Sequence, residues 1–226
     1  PGVTLLKAQI NADLLTEDLG DLARLTIGRG GMRGVAVADI AQRGGGRKLV
    51  VVGNLPYAIT TPILEWLIVQ RAHVAHGVVL VQREYAARLA AAPDTEDYGS
   101  LTISARYYLR LEPLFHVPPG AFWPKPTVDS TLVRLRFRSE PPVEVPDEGR
   151  LFTIVRAAFG QRRKTLANAL LALYGDDRDR VARLLRAAHV AGNRRGETLD
   201  LDEYARIARH DPPFREETEA QDEGAR

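Results

Sequence analysis

Two runs in this sequence leave few choices of fold. Lys48–Gly53 (KLVVVG) and His76–Gln82 (HGVVLVQ) are continuous Val/Leu segments bounded by turn residues. A strand with one wet face alternates apolar and polar residues. One without alternation needs cover on both faces, as in a parallel sheet layered with helices. A helix pattern follows each run. After the first, Thr60 or Thr61 can cap a helix with Pro62 in its first turn and Ile63, Leu64, Leu67 and Ile68 as its apolar stripe. After the second, Arg83–Ala92 (REYAARLAAA) reads as a helix. Strand, helix, strand, helix is the grammar of an α/β sheet with right-handed crossovers.

The flanking segments extend this plan. Val3–Leu6 is short and apolar enough for a strand, Leu14–Leu25 has helical spacing, and Val35–Ala38 is a further strand candidate between glycine clusters. Ser100–Tyr108 reads as a helix. Pro113–Val117 (PLFHV) and Ser130–Phe137 (STLVRLRF) suit an antiparallel pair at the sheet edge, joined by the loop PPGAFWPKPTVD. The proline-rich, polar RSEPPVEVPDEGR (Arg138–Arg150) marks a domain boundary. Beyond it the expected helices are Leu151–Phe159, Thr165–Tyr174 stopping at Gly175, Arg178–Ala188, and Leu201–Ala208 behind an Asp200/Glu203 capping pair. The expected organisation is an α/β domain over 1–140, a linker over 141–150, a helical domain over 151–214, and a disordered acidic tail over 215–226.

The formal charge is +2, but the last twelve residues hold five acids against two arginines, leaving +5 on residues 1–214. That tilt favours an anionic partner. There is no cysteine, which removes disulfides, thiolate metal sites and cysteine nucleophiles and suits a reducing cytoplasm. No apolar stretch reaches the roughly 18 residues of a spanning helix. The five histidines lack metal-ligand spacing, and no nucleophile stands beside a base. A cytoplasmic, monomeric protein without metal or membrane is the expectation.

The chemistry concentrates where KLVVVG ends in Asn54-Leu55-Pro56-Tyr57. In an open α/β sheet, ligands sit beyond the carboxyl ends of the strands. Gly53 leaves room for a close approach to the backbone. Pro56 fixes its own φ and pushes Leu55 toward an extended conformation, so the Leu55 carbonyl can point out of the sheet. The Asn54 side-chain oxygen and the Leu55 carbonyl then form a pair of rigid acceptors with the Tyr57 ring beside them. An exocyclic aromatic amine fits this arrangement. Its lone pair is delocalised, and acceptors on its N–H bonds stabilise the positive charge that develops as nitrogen attacks a methyl donor. Tyr57 offers a face for a flipped base. Asn and Pro are also common turn residues, so these four positions alone equally suit a plain turn.

The wider context carries more. VVGNLPYAITTPIL, VQREYAARLAAAP, YGSLTISARYYLRLEPLFHVPPGAFWPKPTVDSTLVRL and FTIVRAAFGQRRKTLANAL occur in that order over Leu49–Leu173. Together they resemble the KsgA-type ribosomal RNA adenine dimethyltransferases, relatives of the erythromycin-resistance methylases and of mitochondrial transcription factor B. The resemblance implies a Rossmann-like methyltransferase sheet with a small C-terminal helical domain, S-adenosylmethionine as methyl donor, and dimethylation of adenine N6 in a loop of small-subunit ribosomal RNA during subunit assembly. It implies that Asn54 and Leu55 hold N6, Asn54 also touching the donor, that Pro56 shapes the turn, and that Tyr57 and Phe122 line the base. Read from residues alone, an aromatic near prolines such as Phe122 is more often a loop packing anchor, and only the resemblance favours stacking. Trp123 falls where the family is variable and receives no catalytic role. Arg162, Arg163 and Lys164 in QRRKTL would contact RNA phosphates, with Arg83, Lys125, Arg194 and Arg195 as weaker candidates, although such a run is commonly a solvated face.

One part of the family pattern is missing. Its donor site uses a glycine-rich loop after the first strand and an acidic residue ending the second, and neither is found upstream of Leu49. Val3–Leu15 is similar to the family's third-strand segment, with Ala8-Gln9 where Gly-Asp is usual; Gln9 could still hydrogen-bond the donor's adenine. Gly28–Gly34 is a poor donor loop, because Asp39 follows after too few residues for an intervening helix. With Pro1 in place of Met, the expectation is a cofactor domain incomplete at its N-terminus that binds the donor weakly or not at all. Two other readings remain open: a non-catalytic ribosome-assembly factor on a methylase scaffold, and a resistance-type large-subunit methylase.

Overall fold

The computed structural model describes Leu5–Lys7 and Lys48–Asp211. Gln9, the glycine clusters, the Leu14–Leu25 helix, the Val35–Ala38 strand and the 215–226 tail lie outside the described residues. The described residues fall into two compact units, one reaching to Ala92 and resuming over Glu96–Pro142, the other comprising Pro93–Thr95 and the chain from Val143.

The first unit is built on a five-stranded sheet in the order β1-β2-β3-β5-β4. Its strands are β1 (Leu5–Lys7), β2 (Leu49–Asn54), β3 (Val74–Gln82), β4 (Leu109–Val117) and β5 (Ser130–Phe137). The first three pair in parallel. β5 inserts antiparallel between β3 and the edge strand β4. Among the described residues, three helices lie between these strands: α1 (Thr60–Val69), α2 (Arg83–Ala90) and α3 (Ser100–Tyr108). The apolar stripe of α1, Ile63, Leu64, Leu67 and Ile68, is buried with Leu55, Val79 and Val81 from the sheet and Leu89, Ala105 and Leu109. One face of the sheet thus finds helical cover among the described residues, while Val52 of β2, on the other face, is 39% exposed.

Local differences from expectation have physical causes. β4 begins at Leu109, ahead of Pro113, because an edge strand tolerates a residue without an N–H; the register shifts between Pro113 and Phe115. Neither Thr60 nor Thr61 caps α1. Ile59 is the N-cap, without a side-chain bond, and the Thr60 hydroxyl donates back to the Pro56 carbonyl at 3.0 Å.

The second unit is helical: α4 (Glu148–Gly160), α5 (Leu166–Leu170) running into a 3-10 turn at Leu171–Tyr174, α6 (Arg178–Ala187) and α7 (Leu201–His210). α4 starts three residues before the apolar pattern because the Asp147 side chain accepts from the Arg150 N–H. Gly175, at φ 63°, ends the 3-10 turn. Leu151, Ile154, Val155, Leu166, Leu170, Leu185, Tyr204 and Ile207 form its buried interior. Gly196 is required there by close approach, since a Cβ would come within 2.9 Å of Ala158 Cβ.

Candidate active site

Strand pairing brings several of the expected site residues to one edge of the first unit. β2 and β3 run parallel, so Asn54 and Gln82 end on the same side; Gln82 pairs with Ser130, and Ser130 with Val117. The β4–β5 loop carrying Phe122 and Lys125 therefore starts and finishes at the carboxyl edge where Asn54 stands. Arg83 follows Gln82 at the same edge.

The turn after β2 is pinned link by link. The Leu55 N–H donates to the Leu80 carbonyl at 3.0 Å, continuing the ladder one residue past the strand. Leu55 is buried, only 3% exposed as a whole residue, and its side chain anchors the turn in the core. Pro56, at φ −61° and ψ 126°, leads into a 3-10 turn over Tyr57–Ile59. Its carbonyl accepts both the Ile59 N–H at 3.1 Å and the Thr60 hydroxyl. Among the described residues, the Leu55 carbonyl and the Asn54 side-chain amide have no hydrogen-bond partner. Asn54 is exposed, not sealed by packing. A Cβ placed on Gly53 would meet only the Leu55 side chain, at 3.7 Å, so the space beside this glycine is not required by the protein's own packing.

Tyr57 is 37% exposed, and its hydroxyl lies 2.9 Å from Ser130 Oγ. That contact joins the tip of β2 to the first residue of β5 across 73 positions. Ser130 is fully buried. Sequence reasoning missed it, although VDS directly ahead of a strand placed a hydroxyl at this edge. Asp129 was missed too. Its backbone carbonyl accepts the Arg83 N–H at 3.0 Å, while its carboxylate lies 3.5 Å from the Arg83 guanidinium and 3.6 Å from His116. Phe122 is half-buried after a 3-10 turn at Pro119–Ala121, and Lys125 is exposed.

In the second unit, Arg163 and Lys164 line an open depression of about 450 Å³ with Gln161, Asn168 and Arg178. Arg162 pairs with Glu197 at 3.1 Å. Arg194 hydrogen-bonds internally, to Glu203 and Thr198. Arg195 lies 3.8 Å from Glu197. Among the described residues no cluster of His, Asp and Glu could hold a metal ion, and no helix is long and apolar enough to cross a membrane.

Residues 6–207 match the family described as ribosomal RNA adenine dimethylase. The chain is 48% identical over 162 residues to ribosomal RNA small subunit methyltransferase A of Geobacillus thermodenitrificans, an alignment covering 70% of this chain and 55% of that protein. It is 39% identical over 201 residues to the protein of the same name from Alkaliphilus metalliredigens, covering 88% and 64%. The chain thus spans little more than half the length of the first of these relatives. Among solved structures, a dimethyladenosine transferase from Plasmodium falciparum superposes with a TM-score of 0.61 at 22% identity, covering 70% of this chain and 64% of that one. The 23S rRNA methyltransferase ErmE gives a TM-score of 0.53 at 28% identity, covering 73% and 65%.

Proposed function

Because the chain belongs to the ribosomal RNA adenine dimethylase family, we propose that it serves the dimethylation of adenine N6 in a loop of small-subunit ribosomal RNA, with Asn54 and Leu55 as the grip on the amine. The observation that carries this reading is the tip of β2, where Asn54 is exposed and its amide and the Leu55 carbonyl have no partner among the described residues, on a turn held by the Leu55 N–H and the Pro56 carbonyl.

The Asn54 side-chain oxygen and the Leu55 carbonyl accept the two N6–H bonds. As the nitrogen lone pair leaves conjugation to form its new bond, positive charge grows on the amine, and two fixed dipoles stabilise it without reorganising. A neutral amide accepts these bonds without itself bringing a charge that must be desolvated beside the base. The spent proton leaves to water. After one methylation a single N–H remains for one acceptor, and the open space beside Gly53 admits the added methyl. Tyr57, anchored through Ser130, and Phe122 hold the base flat. Arg163 and Lys164 contribute phosphate contacts, with Arg83 and Lys125 as further cations near the base.

The methyl donor is S-adenosylmethionine, which supplies an electrophilic methyl group. The unpaired Asn54 amide and the room at Gly53 fit its reacting end, and Gln9 is a weaker candidate for holding its adenine.

Primer extension on both ribosomal RNAs, extracted from cells lacking and then regaining the full-length protein, tests the assignment. Stops restored in small-subunit RNA alone are expected. Stops in large-subunit RNA would select a resistance-type methylase, and no change in either would select an assembly factor without catalysis.

A further inference from the structure

Trp123 has no part in the chemistry above, yet it is the most exposed large apolar side chain among the described residues, at 96%. It follows Phe122, whose backbone is extended at φ −123° and ψ 152°. Successive side chains of an extended segment leave on opposite sides. Phe122 turns toward the protein and is half-buried, while the neighbouring indole stands free. The loop is stiffened by Pro118 and Pro119 before the pair and by Pro124 and Pro126 after it, so holding a flat ring there loses little further chain entropy.

The surroundings decide what such a ring is for. A protein partner would be expected to find a contiguous apolar patch. The exposed neighbours of Trp123 along the chain are the small or polar Ala121, Pro124, Lys125 and Thr127, and the loop's other exposed large apolar side chain, Val128, is 38% exposed. The loop's single carboxylate, Asp129, is occupied by Arg83 and His116, and Arg83 keeps its side chain 69% exposed at the same edge. An exposed aromatic face on a loop that carries Lys125 and shares its edge of the sheet with Arg83 is the chemistry that receives an unpaired nucleobase and its phosphate.

We propose that Trp123 is a stacking platform for the unpaired nucleobase flanking the target adenine, so that two consecutive bases are held by two consecutive aromatic residues of one loop. This rests on the reading of the site as an RNA adenine methylase and adds a contact that selects single-stranded substrate.

The chain has two tryptophans, Trp66 and Trp123, and Trp66 packs against the core. Trp123 emission is isolated by Trp66→Phe or, should that variant not fold, by subtracting the spectrum of Trp123→Phe from that of the unaltered chain. The probe is an RNA hairpin with an adenine-bearing loop, compared with versions abasic at the target adenine or at either neighbour, and binding is followed independently by anisotropy of a labelled hairpin. Trp123 emission should be quenched on binding. Quenching should survive an abasic target but disappear with one abasic neighbour, and Trp123→Ala should weaken binding by about 10-fold, with Trp123→Phe recovering most of it. Bound RNA with unchanged emission, or quenching that depends only on the target adenine, overturns the platform. Failure to bind any hairpin overturns the platform and the RNA-methylase reading together. Quenching as expected, with full-length protein that transfers no methyl group, leaves the platform standing and removes only the enzymatic reading.

Discussion

Asn54 and Tyr57 are three residues apart but are held in different ways. Asn54 is fixed through its backbone, as the last residue of the strand paired with β3, and its side chain is exposed. Tyr57 is fixed at both ends, by the turn that Pro56 opens and by the hydroxyl contact to buried Ser130. Removing only the hydroxyl should therefore separate anchoring from stacking. Tyr57→Phe is expected to cost about 1 kcal/mol of stability, because it leaves the Ser130 hydroxyl short of a partner, while retaining most RNA affinity. Tyr57→Ala should weaken RNA binding by about 1–3 kcal/mol. Denaturant titration beside filter binding reads both. Equal affinity in all three proteins would show that the ring takes no part in holding the base.

At the scale of elements, the caps separate what sequence patterns carry from what they do not. The Asp200/Glu203 box on α7 is legible from four residues, because both of its hydrogen bonds are local. What those residues do not disclose is that Arg194 reaches the same Glu203 carboxylate, as does Arg206 at 3.6 Å. Burial pushes the Glu203 carboxyl up, but the Arg194 hydrogen bond, the Asp200 N–H and the charges of Arg194 and Arg206 outweigh it and hold the group below its ordinary value. A lowered carboxylate contributes stability at neutral pH and loses it as pH falls through the lowered value. Glu203→Gln keeps an acceptor for the box and should cost about 2 kcal/mol at neutral pH. The gap from the unaltered chain should close toward about pH 3, below the ordinary glutamate value of about 4.3. Urea midpoints at the two pH values check this, and a gap of constant size would contradict the charge account. Thr60 shows the opposite case, since its hydroxyl serves a turn whose geometry Pro56 sets, and helix periodicity carries no record of that.

For the whole molecule, the sheet was legible because two unbroken apolar runs demand cover on both faces, and the helical unit because its stripes recur at helical spacing. The edge at which Asn54, Tyr57, Phe122, Arg83 and Ser130 gather was only partly legible. It depends on β5 lying beside β3, a long-range pairing that local patterns do not encode, and so Ser130 and Asp129 stayed hidden while the motif residues did not. In the proposed function, labour is divided: phosphate and stacking contacts are spread over many residues, whereas charge stabilisation rests on the tip of one strand. Replacing that tip should leave affinity nearly intact and remove chemistry. The most direct measurement is single-turnover methyl transfer to undermethylated small subunits by the full-length protein carrying Asn54→Ala, with subunit binding measured in parallel. Transfer is expected to fall by about 10²–10³-fold with binding little changed; transfer within about tenfold of the unaltered protein, equivalent to roughly 1.4 kcal/mol, would contradict the acceptor-pair account.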